Sequence, residues 1–88
     1  MRTAFALAAL VVTLGHSAAQ AQSCGEAWYQ RNQIYKDNGY CFKTARAIRA
    51  FGNAGCSYDD VNDVPLSARQ RAIVADLRNF ERINGCTE

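Results

Sequence analysis

All four cysteines of this chain, Cys24, Cys41, Cys56 and Cys86, lie behind an N-terminal stretch with the pattern of an export leader. An even set of cysteines in an exported chain reads as a disulfide framework, here two bonds with three possible connectivities. The leader pattern is complete. Arg2 gives the positive start, Ala4 to Leu14 is apolar apart from Thr13, and Ala19-Gln20-Ala21 is a small-x-small cleavage site. The apolar run is well short of the roughly 20 residues that cross a bilayer as a helix, so residues 1–21 are read as a cleaved signal peptide. Gln22 then becomes the N-terminus, free to cyclise, and its bulk argues against lipidation at Cys24.

Residues 22–88 form one domain, with no repeat, low-complexity tract or linker to divide them. A chain of that length buries only about 60% of its unfolded surface, so one small core leaves little net stability and needs staples. Metal binding is a poor alternative role for the thiols. There is no Cys-x-x-Cys, and the single histidine, His16, departs with the leader. The formal charge of +2 also includes Arg2, so the exported chain carries about +1, too little to draw it to nucleic acid.

Local signals predict three helices. Ser23 with Glu26 is a capping box and Asn38-Gly39 is a stop, which sets a first helix from Cys24 to Asp37. Ala27, Trp28, Ile34 and Tyr35 make its core face. Arg31 sits in the middle of that stripe, so its guanidinium must snorkel or meet a carboxylate, with Glu81, Asp59, Asp60 and Asp63 as candidates. A second helix is expected from Thr44 to Phe51, with Ala45, Ile48 and Phe51 inward and Lys43, Arg46 and Arg49 on a basic face. Gly52-Asn53-Ala54-Gly55 is turn chemistry, and Ser57 to Leu66 is expected as an ordered loop with room for one short extended segment near Tyr58.

Ser67 and Gln70 form a second capping box, opening a third helix that runs to about Asn84 with Gly85 as its stop. Ile73, Leu77, Phe80 and Asn84 are assigned to its core stripe, with Val74 beside it and Arg71, Arg78 and Arg82 on another face. The expected fold is a mainly α, small three-helix, disulfide-stapled domain.

Connectivity follows from that arrangement. Cys24 and Cys41 stand at opposite ends of the first helix, about 20 Å apart at 1.5 Å per residue, too far for a bond. Antiparallel first and last helices bring the start of one to the end of the other, which favours Cys24 with Cys86 and Cys41 with Cys56.

The run Trp28-Tyr29, Arg31-Asn32, Ile34-Tyr35, Gly39-Tyr40-Cys41-Phe42, followed by a helix carrying Glu81, resembles the YARHG domain. The resemblance covers essentially all of residues 22–88 and implies an extracellular bacterial domain whose biochemical function is not established. The motif that names the family reads Tyr35-Lys36-Asp37-Asn38-Gly39 here. It keeps the tyrosine and glycine but lacks the arginine and histidine, so a site built on that histidine cannot operate.

Catalysis is not expected. With no histidine after the leader, Ser-His, Cys-His and histidine-metal arrangements are excluded. Asp59, Asp60 and Asp63 lack the glycine and glutamate that a calcium loop beginning at Asp59 would need at positions 64 and 70, where Val64 and Gln70 stand. A pair of carboxylates flanking a substrate needs a cleft that so small a domain has little room to build. No metal and no cofactor are expected.

Binding is the better-supported class, because Trp28, Tyr29, Tyr35, Tyr40 and Tyr58 exceed what a small core buries. The expectation is a periplasmic or secreted, non-catalytic module that contacts an envelope protein or anionic glycan through Tyr29, Tyr40, Arg46 and Arg49. The alternatives are a protein-directed inhibitor or accessory subunit and, behind it, a minimal carboxylate-dependent hydrolase. Nucleic acid is not an expected partner, and no transmembrane anchor is expected once the leader is removed.

Overall fold

Each long helix begins and ends on the same local device. In the computed structural model, which describes residues 23–87, α1 spans Cys24–Asp37, α2 spans Ala45–Phe51 and α3 spans Ala68–Ile83, with a short 3-10 helix over Val61–Asp63. The expected leader, its cleavage site and Gln22 lie outside the described residues. At the start of α1, Glu26 N–H donates to Ser23 Oγ (3.0 Å) while Ser23 N–H donates to Glu26 Oε1 (3.1 Å). Ser67 and Gln70 repeat this reciprocal pair at α3, both bonds at 3.0 Å. Such a cap is worth about 1 kcal/mol because it satisfies amide donors that the first turn leaves unpaired.

The C-terminal ends also match. Tyr40 N–H reaches back to Tyr35 C=O and Gly39 N–H to Lys36 C=O; at α3, Cys86 N–H bonds Glu81 C=O and Gly85 N–H bonds Arg82 C=O. This 6→1, 5→2 pairing is a Schellman stop. The Asn38 and Asn84 side chains each donate to the carbonyl four residues back, Ile34 and Phe80, at 2.8 Å. Gly39 is required twice over: its φ of 89° is left-handed, and a Cβ there would stand 3.2 Å from the Tyr58 ring.

α1 packs mainly on α3 and more lightly on α2. Their shared core is Trp28, Tyr35, Phe42, Ala47, Val64, Leu66 and Val74, with Ile34, Tyr40, Phe51, Tyr58 and Val61 half-buried around it. Burying each large apolar side chain contributes roughly 1.5–3 kcal/mol.

Both disulfides link the ends that chain reversal brings together. Cys24 is bonded to Cys86 with Cα atoms 5.4 Å apart, and Cys41 to Cys56 with Cα atoms 5.2 Å apart. Beside the second bond, Gly39 C=O accepts from Ser57 and Tyr58 N–H (2.8 and 2.9 Å), and Cys41 N–H donates to Tyr58 C=O (2.8 Å). Tyr40 and Tyr58 form an isolated parallel bridge there. This is the extended segment near Tyr58, reduced to a single residue on each side.

Two helix faces differ from the sequence expectation. On α3 the buried residues are Val74 and Leu77, while Ile73 is 39% exposed and Asn84 is spent as the exposed cap. Phe80 and Glu81 are both half-buried, the latter bonded to Arg31, so the inner face is centred on 74, 77, 80 and 81 and leaves out Ile73 and Asn84. On α2 the buried residue is Ala47, Phe51 is half-buried, Ala45 is exposed and Ile48 is 43% exposed. A two-turn helix follows its tertiary contacts, and the small Ala47 lets α2 approach the aromatic core closely.

Candidate functional site

Surface residues that could meet a ligand gather where α2 crosses α1. Trp28 is buried on α1, and the Arg46 guanidinium lies over its ring, 3.8 Å from the centroid. Phe51, from the last turn of α2, stands 5.9 Å from Trp28 and 4.9 Å from Tyr29 between ring centroids. Tyr29 is thus braced on one side and 49% exposed overall. Arg49 is exposed one turn beyond Arg46, and no Asp or Glu occurs between Lys43 and Gly52. Tyr29 and Arg46 are thus tied to one corner of the fold through Phe51 and Trp28, and Arg49 is exposed on the same short helix. Next to Tyr29, a shallow open depression is lined by Ser23, Gly25, Glu26, Tyr29 and Gln30.

Tyr40 does not join these residues at the surface. It was expected to be exposed, but it is half-buried, with its ring 5.8 Å from Tyr35 and edge-on to Phe42 at 5.1 Å. The bridge to Tyr58 and the Cys41–Cys56 bond fix the backbone on both sides of it and turn the ring onto the core.

Arg31 has a structural partner. Its Nε and Nη2 bond Glu81 Oε1 and Oε2 at 2.8 and 3.0 Å, with side-chain exposures of 8% and 13% for the two residues. Such a bidentate pair fixes the register of α1 on α3, and breaking one side strands a buried charge. Asp59 is not its partner: it bonds Lys43 Nζ at 3.0 Å, an exposed pair that contributes little. Asp60 caps the 3-10 helix by accepting from Asn62 N–H at 2.9 Å. The acidic loop thus spends two of its three aspartates locally, and among the described residues no three His, Cys, Asp or Glu side chains converge as metal ligands.

Three contacts escaped sequence reasoning. Nothing in the spacing joins Arg46 to Trp28, and Phe51 gave no sign that it would brace Tyr29. Asn53 was read only as part of a turn. Its side chain instead clamps the backbone of Phe42, accepting from Phe42 N–H (2.6 Å) and donating to Phe42 C=O (3.0 Å). The amide of Asn53 stands in for a strand neighbour, a role with no local signature.

A family model for the YARHG domain matches residues 3–82, most of the chain. The chain belongs to the YARHG domain family. The match begins within the segment read as a leader and stops short of Cys86. Within this YARHG domain, Tyr35 and Gly39, the two residues kept from the naming motif, both serve α1: Tyr35 is core and supplies the stop's acceptor, and Gly39 is the left-handed turn. No curated protein and no solved structure is significantly similar to the chain. Among the described residues, no helix is long and apolar enough to cross a membrane.

Proposed function

We propose that this YARHG domain is an exported, non-catalytic binding module of the bacterial cell envelope. Its contact surface is Tyr29, Arg46 and Arg49. The observation that carries the reading is the bracing of these side chains from beneath: Tyr29 rests on Phe51, and Arg46 rests on Trp28. A pre-ordered aromatic and cationic surface loses little side-chain entropy when a partner docks, which is what a binding site needs. Two disulfides in so short a chain favour the periplasm or the exterior, where such bonds persist.

Co-sedimentation of the oxidised protein with purified peptidoglycan and, separately, with outer-membrane vesicles tests the reading. Binding that disappears in the Tyr29→Ala/Arg49→Glu variant, with unchanged circular dichroism, supports it. Binding to either material that this variant leaves untouched, or no envelope interaction of any kind for the native protein, sinks it. Loss of binding at high salt assigns the larger share to the arginines, and salt-resistant binding assigns it to Tyr29.

A further inference from the structure

We infer that Asn84-Gly85 is a modification site, at which the folded protein converts the Asn84 amide to an acid without an enzyme, and that the same dipeptide at Asn38-Gly39 is protected by its surroundings.

An asparagine followed by glycine carries this chemistry within itself. The backbone nitrogen of the glycine loses its proton and attacks the asparagine Cγ, a five-membered imide closes, and the side-chain nitrogen leaves as ammonia. Water then opens either imide carbonyl, giving aspartate or, with the chain rerouted through the side chain, isoaspartate. The sum consumes a water and releases an ammonia, with no oxidant, reductant or cofactor. Glycine favours the attack because no Cβ crowds its nitrogen. Of the asparagines in the chain, only Asn38 and Asn84 precede glycine.

Both sites start from the same unreactive shape. Each asparagine closes a helix with ψ near zero, 15° at Asn38 and 8° at Asn84, and donates its side-chain amide to the carbonyl four residues back at 2.8 Å. Each following glycine has its N–H bonded into the helix stop. Ring closure requires ψ to rotate away and that N–H to be released, so the rate follows how readily each stop opens.

The two stops differ in what opening breaks. At the end of α1, Asn38 and Gly39 are half-buried, Gly39 C=O accepts from both Ser57 and Tyr58 N–H, Tyr40 bridges to Tyr58, and the Tyr58 ring stands against Gly39. Rotation after Asn38 tears all of this. At the end of α3, Asn84 and Gly85 are exposed, and nothing beyond the chain neighbours lies within 4 Å of where a Gly85 Cβ would stand. Opening there releases only last-turn bonds, from Asn84 to Phe80, Gly85 to Arg82 and Cys86 to Glu81. Ile83 in that turn is already 72% exposed, so unwinding uncovers little apolar surface. Either product removes the donor to Phe80 C=O and sets a carboxylate at the negative end of the α3 dipole, so the stop is weakened once the reaction has occurred.

The oxidised protein is held in mildly alkaline buffer, sampled over weeks and digested, and the peptides carrying positions 38 and 84 are followed by mass and by isoaspartyl O-methyltransferase labelling. The expected result is conversion at Asn84 at least about tenfold faster than at Asn38, from the difference in local opening. With the disulfides reduced in urea, both positions react within about threefold of each other, because the dipeptide is the same and the fold no longer separates them. Tyr58→Ala speeds conversion at Asn38 and leaves Asn84 unchanged, and Asn84→Asp co-elutes with one of the native protein's products on ion exchange.

The inference is overturned if the folded protein converts Asn38 as fast as Asn84, or if Asn84 stays an amide over a period in which the unfolded chain reacts at both positions. An equal preference for Asn84 in the unfolded chain overturns it too, because the fold would then decide nothing.

Discussion

The two ends of the molecule are each closed by a disulfide, but they differ in what lies beneath the bond. At the end held by Cys24–Cys86, the neighbours Gly25, Glu26 and Ile83 are exposed, and burial on α1 begins only at Ala27. At the end held by Cys41–Cys56, Tyr35, Tyr40 and Phe42 are packed ring against ring, Asn53 clamps the Phe42 backbone, and three backbone bonds join residues 39–41 to Ser57 and Tyr58. A covalent link therefore carries most where non-covalent packing is thinnest, and it backs up existing contacts where packing is dense.

The comparison is broken most directly at the thin end. The double variant Cys24→Ala/Cys86→Ala is expected to lose about 4 kcal/mol in urea denaturation, since the bond closes a loop of sequence separation 62. That loss is of the order of the whole stability of a domain this small, so most of the population unfolds at 37 °C.

Midway along the same helix pair, Arg31→Met strands Glu81 in a nearly buried site and is expected to cost about 3 kcal/mol. Adding Glu81→Leu recovers most of it, because a well-packed apolar pair replaces a desolvated ionic one. A double variant no more stable than the single would show that the ion pair also supplies attraction that packing cannot replace.

Opening the dense end with Cys41→Ala/Cys56→Ala is expected to cost less, up to about 3 kcal/mol for a separation of 15. Amide exchange at position 41 and at Tyr58, whose N–H groups bond Tyr58 C=O and Gly39 C=O, stays slow if the surrounding packing holds the pairing unaided. A loss larger than that of the first double variant would reverse the comparison. The smallest expected effect is that of Asn53→Ala, about 2 kcal/mol, from leaving the Phe42 amide and carbonyl without partners. Faster exchange confined to the segment from Phe42 to Cys56 would identify this clamp as local to the dense end.

Most of the helical framework was legible before any tertiary contact was known. Ser23, Glu26, Asn38 and Gly39 bound α1 at Cys24–Asp37 because caps and stops satisfy backbone groups within four residues of themselves. The same grammar bounded α3. The cysteine pairing needed one further step, the antiparallel packing of α1 and α3, and the two bonds follow once that is granted. The candidate site was less legible. Tyr29, Arg46 and Arg49 were picked out as exposed side chains of suitable chemistry, whereas Tyr40, chosen on the same grounds, is packed inward.

By itself the sequence determined the local structure: where the helices start and stop, and that four thiols staple a small domain. Tertiary structure alone decided which of four acids meets Arg31, which way α2 and α3 turn, that Asn53 serves Phe42, and that Arg46 lies over Trp28. The physical reason is range. Capping bonds span three or four residues and leave a readable spacing, while Arg31 and Glu81 stand 50 residues apart and meet only because the chain has reversed.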